Sequence, residues 1–131
     1  MRLRTEDCDY HILINIRIHI NEVSLSMVRS ELYSLIRNTV NATIPGSRVI
    51  LFGSQARNSS DSKSDFDLLV ITPNVSNIEE KKRWYRILDK IFVEQIKIPV
   101  DLIISNEKEV LEKQKLPGNI IRTVLREGIS L

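Results

Sequence analysis

A chain of 131 residues, 42% hydrophobic and 27% charged, suits one compact domain with one core and is too short for two. Its net charge of +2, with no long block of one sign, lacks the basic stripe of a protein held to duplex nucleic acid by electrostatics. Cys8 is the single cysteine, which excludes an intrachain disulfide or a thiolate cluster, and no run reaches the roughly 18 apolar residues of a membrane span. Arg2 and Arg4 are followed at once by Glu6 and Asp7, unlike a secretory signal, so a cytoplasmic protein is expected.

Ile12, Ile14, Ile16, Ile18 and Ile20 alternate with Leu13, Asn15, Arg17, His19 and Asn21, the period of a half-buried strand. Residues 1–23 therefore read as an N-terminal extension carrying a strand, or as sequence upstream of a start at Met27. Residues 24–131 read as the main domain. A helix is predicted over Leu25–Val40, with Ser24 as its N-cap and Val28, Leu32, Leu35, Ile36 and Val40 on one face. Pro45-Gly46 closes the connection to a strand over Arg48–Phe52, and a second strand runs over Phe66–Thr72. Ser76-Asn-Ile-Glu79 has the form of a capping box opening a helix to Glu94, with Ile78, Trp84 or Tyr85, Leu88, Ile91 and Phe92 inward. A third strand is expected over Ile98–Ser105, a short helix from Asn106-x-x-Glu109, and a last helix from Pro117 that ends at Gly128 with Ile129 packing back. Strand and helix alternate, so the class is α/β with a small central sheet.

The chemistry concentrates where the first strand meets a Gly-Ser turn. Ten residues separate Gly53-Ser54 from Asp65-Phe66-Asp67. Residues two apart on a strand share a face, so Asp65 and Asp67 project together beside a turn whose backbone can approach a ligand closely. Asp101 lies inside the apolar run Pro99-Val-Asp-Leu-Ile-Ile104, where a carboxylate needs a cation, donors or water. If the third strand neighbours the second, three carboxylates meet, enough to hold two divalent ions about a transferring phosphoryl group.

Other motifs fail. Asp61–Thr72 departs from an EF-hand loop at Lys63, Phe66 and Thr72, and Gly53 precedes no Gly-Lys-Ser/Thr of a Walker A loop. Asp61 reads as a turn-former, His11 and His19 as surface residues, and Lys81-Lys82-Arg83 as a solvated face.

Gly53-Ser-Gln-Ala-Arg57 followed by Ser64-Asp-Phe-Asp-Leu-Leu-Val70, with Asp101 on a later strand, resembles the nucleotidyltransferase superfamily that includes DNA polymerase β. Within it, the pattern is most similar to the stand-alone minimal nucleotidyltransferase (MNT) domains, over Ser24 to Leu131. The resemblance implies a small mixed sheet flanked by helices, here with an extra N-terminal strand. It implies transfer of a nucleoside monophosphate, usually AMP from ATP or another nucleoside triphosphate, to an acceptor hydroxyl. Gly53 and Ser54 would hold the β- and γ-phosphates, with Arg57 aiding them or serving a loop salt bridge. Asp65, Asp67 and Asp101 would be both catalytic and metal-binding, carrying two Mg²⁺ ions or Mn²⁺ in their place. The resemblance also implies a HEPN-type toxin partner, since family members are often paired with one and in such pairs act as antitoxins by adenylylating its tyrosine. A protein partner or a homodimer is therefore expected to complete the site, with no membrane and no strong nucleic-acid role. A small-molecule acceptor, or a non-catalytic antitoxin that occludes its partner, are the alternatives. Asn58 stands where many members have Gly.

Overall fold

The computed structural model describes residues 22–57 and 65–131. The expected isoleucine strand, Cys8, His11, His19 and Asp61 lie outside the described residues. Two compact units divide the chain, one ending at Ile36 and one spanning Arg37–Leu131. The sheet and every described candidate site residue belong to the second.

The first helix, α1 (Glu22–Thr43), starts before Ser24, which is therefore an interior residue and not its cap. Gly46, at φ +82°, turns the chain into β1 (Arg48–Phe52). A single turn of helix, α2 (Gly53–Ala56), follows directly. Strand β2 covers Phe66–Thr72, so both predicted central strands have the expected ends. Continuous β-branched and leucine-rich runs, buried on both faces, leave no periodicity to misread.

Helix α3 (Ile78–Lys90) is capped by Asn77, whose Oδ1 accepts from the Glu80 N–H at 2.8 Å. The Ser76 box is thus displaced by one residue, and the Ser76 hydroxyl is buried without a partner among the described residues. Leu88 and Phe92 are fully buried as expected, whereas Ile78 and Tyr85 are exposed. The helix continues as a π-helical segment, Ile91–Ile96, ending at Lys97 in the left-handed region. Ile98 donates its N–H to the Phe92 carbonyl at 3.0 Å and Pro99 has no N–H to give, so β3 begins at Val100 and ends at Asn106.

Asn106 builds the predicted capping box for α4 (Glu107–Lys113). Its Oδ1 accepts from the Glu109 N–H at 2.8 Å, and Glu109 Oε1 accepts from the Asn106 N–H at 3.2 Å. The last helix, α5 (Ile120–Glu127), starts later than Pro117. Asn119 caps it, accepting from the Ile121 N–H at 2.9 Å, after a turn in which Gly118 takes φ +80°. Gly128 has extended backbone instead of the expected left-handed cap. A Cβ there would stand 2.6 Å from the Val124 carbonyl and 3.1 Å from that of Leu51, so close packing is its role. Ile129 does not fold back; it starts a short strand, β4 (Ile129–Ser130).

The sheet order is β3-β2-β1-β4, with β2 parallel to β3 and the other pairs antiparallel, a small mixed sheet with helices as the α/β reading required. Ile50 of β1 and Leu69 and Ile71 of β2 pack against Val110 of α4 and Ile121 and Val124 of α5, with Phe52 and Ile103 at the margin. Val49, Leu51, Leu68, Val70 and Leu102 on the other face are equally buried. Burial of both faces removes these apolar side chains from water at about 25 cal/mol per Å². The ends are where the chemistry sits.

Candidate active site

Alternation along the strands places Phe52, Asp67 and Asp101 on the face that carries the α4–α5 core, one step beyond Ile50, Leu69 and Ile103. Asp67 is the register partner of Asp101 across the parallel β2–β3 pair and of Phe52 across the antiparallel β1–β2 pair. The condition set by the sequence, that the third strand neighbour the second, is met. Asp65 stands just before β2, exposed and two residues from Asp67.

Gly53 leaves β1 at φ +73°, a conformation that L side chains rarely adopt. A Cβ at this position would overlap Asp67 Oδ2 and lie 3.1 Å from Asp67 Cγ. The absent side chain lets the backbone of the turn lie against the carboxylate. Ser54 is half-buried on α2, and the Arg57 N–H closes that turn on the Gly53 carbonyl at 3.3 Å. Gly53, Ser54, Arg57, Asp65, Asp67 and Asp101 therefore gather at one end of the sheet.

The electrostatics of this end are unbalanced. Partial burial raises the Asp67 carboxyl above its ordinary value of 3.8, Asp101 and then Asp65 push it further up, and Arg57 pulls it down without cancelling them. Like charges so placed attract a cation. An all-oxygen donor set of carboxylates suits a hard ion such as Mg²⁺. Among the described residues no three acidic, histidine or cysteine side chains stand close enough to hold an ion unaided. An ion shared with phosphate oxygens and water, the usual habit of Mg²⁺, needs fewer protein ligands.

The sequence reading missed one neighbour of these residues. A cleft of about 210 Å³ is lined by Phe52, Gly53 and Arg57 on one side and by Ile120, Thr123, Val124 and Glu127 of α5 on the other. The four α5 residues follow the i, i+3, i+4, i+7 spacing of one helix face. A stripe of that spacing with Thr and Glu among its apolar members was the available signal.

Residues 34–131 match the family model described as a nucleotidyltransferase domain. A curated relative, "Putative protein adenylyltransferase MJ0141" of Methanocaldococcus jannaschii, is 29% identical over 84 residues, which is 64% of this chain and 77% of the relative. A solved structure titled "Structure of putative minimal nucleotidyltransferase" aligns with a TM-score of 0.46 and 25% identity, over 86% of this chain and 98% of that one.

Proposed function

The chain belongs to the nucleotidyltransferase domain family and is a nucleotidyltransferase; on that premise we propose that it transfers AMP from ATP, in a metal-dependent reaction, to a hydroxyl group of a partner protein. The observation that carries this reading is the pairing of Asp67 with Asp101 on one sheet face, with the Gly53 backbone against Asp67. The name of the M. jannaschii relative supports a protein acceptor and adenylyl transfer. A tyrosine of a HEPN-type toxin is the acceptor that the sequence resemblance implies, and the chain would then act as its antitoxin.

In this reading Gly53 and Ser54 hold the β- and γ-phosphates, the glycine because it brings backbone N–H groups within reach of them. Arg57 adds a cation beside the leaving pyrophosphate. Asp65, Asp67 and Asp101 are the residues that would hold two Mg²⁺ ions. When bound, the ions neutralise charge developing on the phosphates and lower the pKa of the acceptor hydroxyl. Asp101, on the strand farthest from Gly53, orients that hydroxyl for attack opposite the leaving group. The acceptor oxygen bonds to the α-phosphorus, the bond to pyrophosphate breaks, and the hydroxyl proton passes to Asp101 or solvent.

Incubation with α-³²P-ATP, Mg²⁺ and a lysate of the source organism tests this. One protein band labelled by the wild-type chain and not by Asp67→Asn is the expected result. Label appearing only in a small molecule would replace the protein acceptor. An Asp65→Asn, Asp67→Asn double variant that still neutralises its partner fully would make occlusion the function.

A further inference from the structure

We infer that the cleft between β1 and α5 binds the base of the donor nucleotide, with the Glu127 carboxylate accepting a hydrogen bond from the exocyclic amine of adenine. The inference rests on the nucleotidyltransferase reading of the adjoining residues.

The cleft's volume of about 210 Å³ lies below the roughly 300–1,000 Å³ of a pocket for a drug-sized ligand, so it accepts one ring system and not a whole nucleotide. Its walls suit a flat apolar ring. Phe52 is only partly buried, Ile120 is 50% exposed, and Val124 is buried at 1% exposure. Leaving Phe52 and Ile120 in water forfeits burial that a stacked base would restore.

The polar groups are divided between the two walls. Gly53 and Arg57, beside the proposed phosphate site, form one. Thr123 and Glu127, one helical turn apart, form the other. A ligand that fits has an anionic tail at the first wall and a planar head with hydrogen-bonding edges at the second. A nucleoside triphosphate has that form. An ionised carboxylate only accepts hydrogen bonds, so Glu127 calls for a donor on the base, and the adenine amine is one. Arg126 pairs with Glu127 Oε1 at 3.3 Å, and among the described residues nothing is bonded to Oε2. Thr123, able to donate or accept, faces an adjacent ring nitrogen.

The test is equilibrium binding by competition against a fluorescent ATP analogue in the presence of Mg²⁺, using the full chain. ATP is compared with purine riboside 5′-triphosphate, which keeps the ring and phosphates and lacks the amine. The wild type binds ATP about tenfold more tightly, the scale of one hydrogen bond to a charged group. Glu127→Ala loses that preference while its affinity for inorganic triphosphate stays unchanged. Ile120→Asp weakens ATP and leaves inorganic triphosphate alone, a second readout that does not depend on Glu127. Equal affinity of the wild type for the two nucleotides, or a preference that survives Glu127→Ala, overturns the base site while leaving the transferase reading intact. Failure to bind ATP or inorganic triphosphate at all overturns both.

Discussion

Strands β2 and β3 lie side by side along their whole length, yet their two ends are built on opposite principles. At one end the register pair is Asp67 and Asp101, with Asp65 beside them and, among the described residues, Arg57 as the cation that lowers the Asp67 carboxyl. At the other the pair is Thr72 and Asn106, 1% and 4% exposed, and both of these side chains have partners. Thr72 donates its hydroxyl to the Asn74 carbonyl at 3.2 Å, and Asn106 exchanges hydrogen bonds with Glu109. Glu109 also pairs with Lys81 and Lys113, while Arg48 holds Glu107 through two contacts of 3.0 Å. At this closed end the Thr72–Asn106 pair is satisfied by the chain itself, while the Ser47 and Ser76 hydroxyls are buried without a partner among the described residues. The open end keeps like charges together, which the proposed ions would offset.

That contrast predicts opposite outcomes for substitutions at the two ends. Asp67→Asn has the largest effect on activity, a loss on the order of 10²–10³-fold, as for removal of one preorganised electrostatic group at a reacting centre. Its thermal midpoint stays level or rises, because a half-buried charge held against two like charges is removed; a marked fall in a melting experiment would contradict the imbalance. Gly53→Ala damages both properties. The left-handed backbone alone costs about 1–2 kcal/mol, and the added Cβ displaces the Asp67 carboxylate. Urea titration and a nucleotidyl-transfer assay on that variant read the two losses separately.

Substitutions at the closed end move stability alone. Asn106→Ala removes a cap and a buried hydrogen-bonding group, costing about 0.5–2 kcal/mol in chemical denaturation while the KM for ATP is unchanged. Glu109→Gln adds a pH signature. Burial raises the Glu109 carboxyl, but hydrogen bonds from Lys81 and the Asn106 backbone and the charges of Lys81 and Lys113 outweigh it, so the net displacement is below the ordinary 4.5. A carboxyl lowered in the folded state stabilises fully above pH 4.5, and that contribution is lost as the pH falls through its folded value. The stability gap between wild type and Glu109→Gln is therefore widest near neutrality and closes in acid; a gap that widened in acid would refute the pairing. Arg48→Ala, which breaks an ion pair between side chains about half exposed, has the smallest effect, within about 1 kcal/mol.

The open end was legible in the sequence because its chemistry is local. Gly53-Ser54 sits on a turn, Asp67 on a strand whose alternation fixes its direction with Asp65 just before it, and Asp101 betrayed itself as a charge inside an apolar run. The ends of β1 and β2 were equally readable, since continuous apolar runs stop sharply at Gly53 and Pro73. The errors fell where caps compete or backbone departs from the common helix. Asn77 took the cap assigned to Ser76, because a side-chain amide caps as well as a hydroxyl, and Asn119 caps the last helix two residues beyond Pro117, where its start was expected. The π-helical run Ile91–Ile96 and left-handed Lys97 delayed β3 by two residues, and nothing in the apolar pattern marks such a turn. Gly128 was misread for a different reason: glycine serves close approach as readily as positive φ, and only tertiary packing tells the two apart. The α5 face of the cleft was marked by its stripe, but setting α5 against β1 is a long-range arrangement that no local spacing encodes.

The central claim is that the carboxylate end is completed by a divalent ion brought together with a nucleotide. Mn²⁺ binding followed by electron paramagnetic resonance, with and without a non-hydrolysable ATP analogue, tests it without knowledge of the acceptor. The account predicts weak Mn²⁺ binding to the chain alone, strong binding once the analogue is added, and loss of that gain in Asp67→Asn. Nucleotide-dependent Mn²⁺ binding that persists undiminished in Asp67→Asn would contradict it.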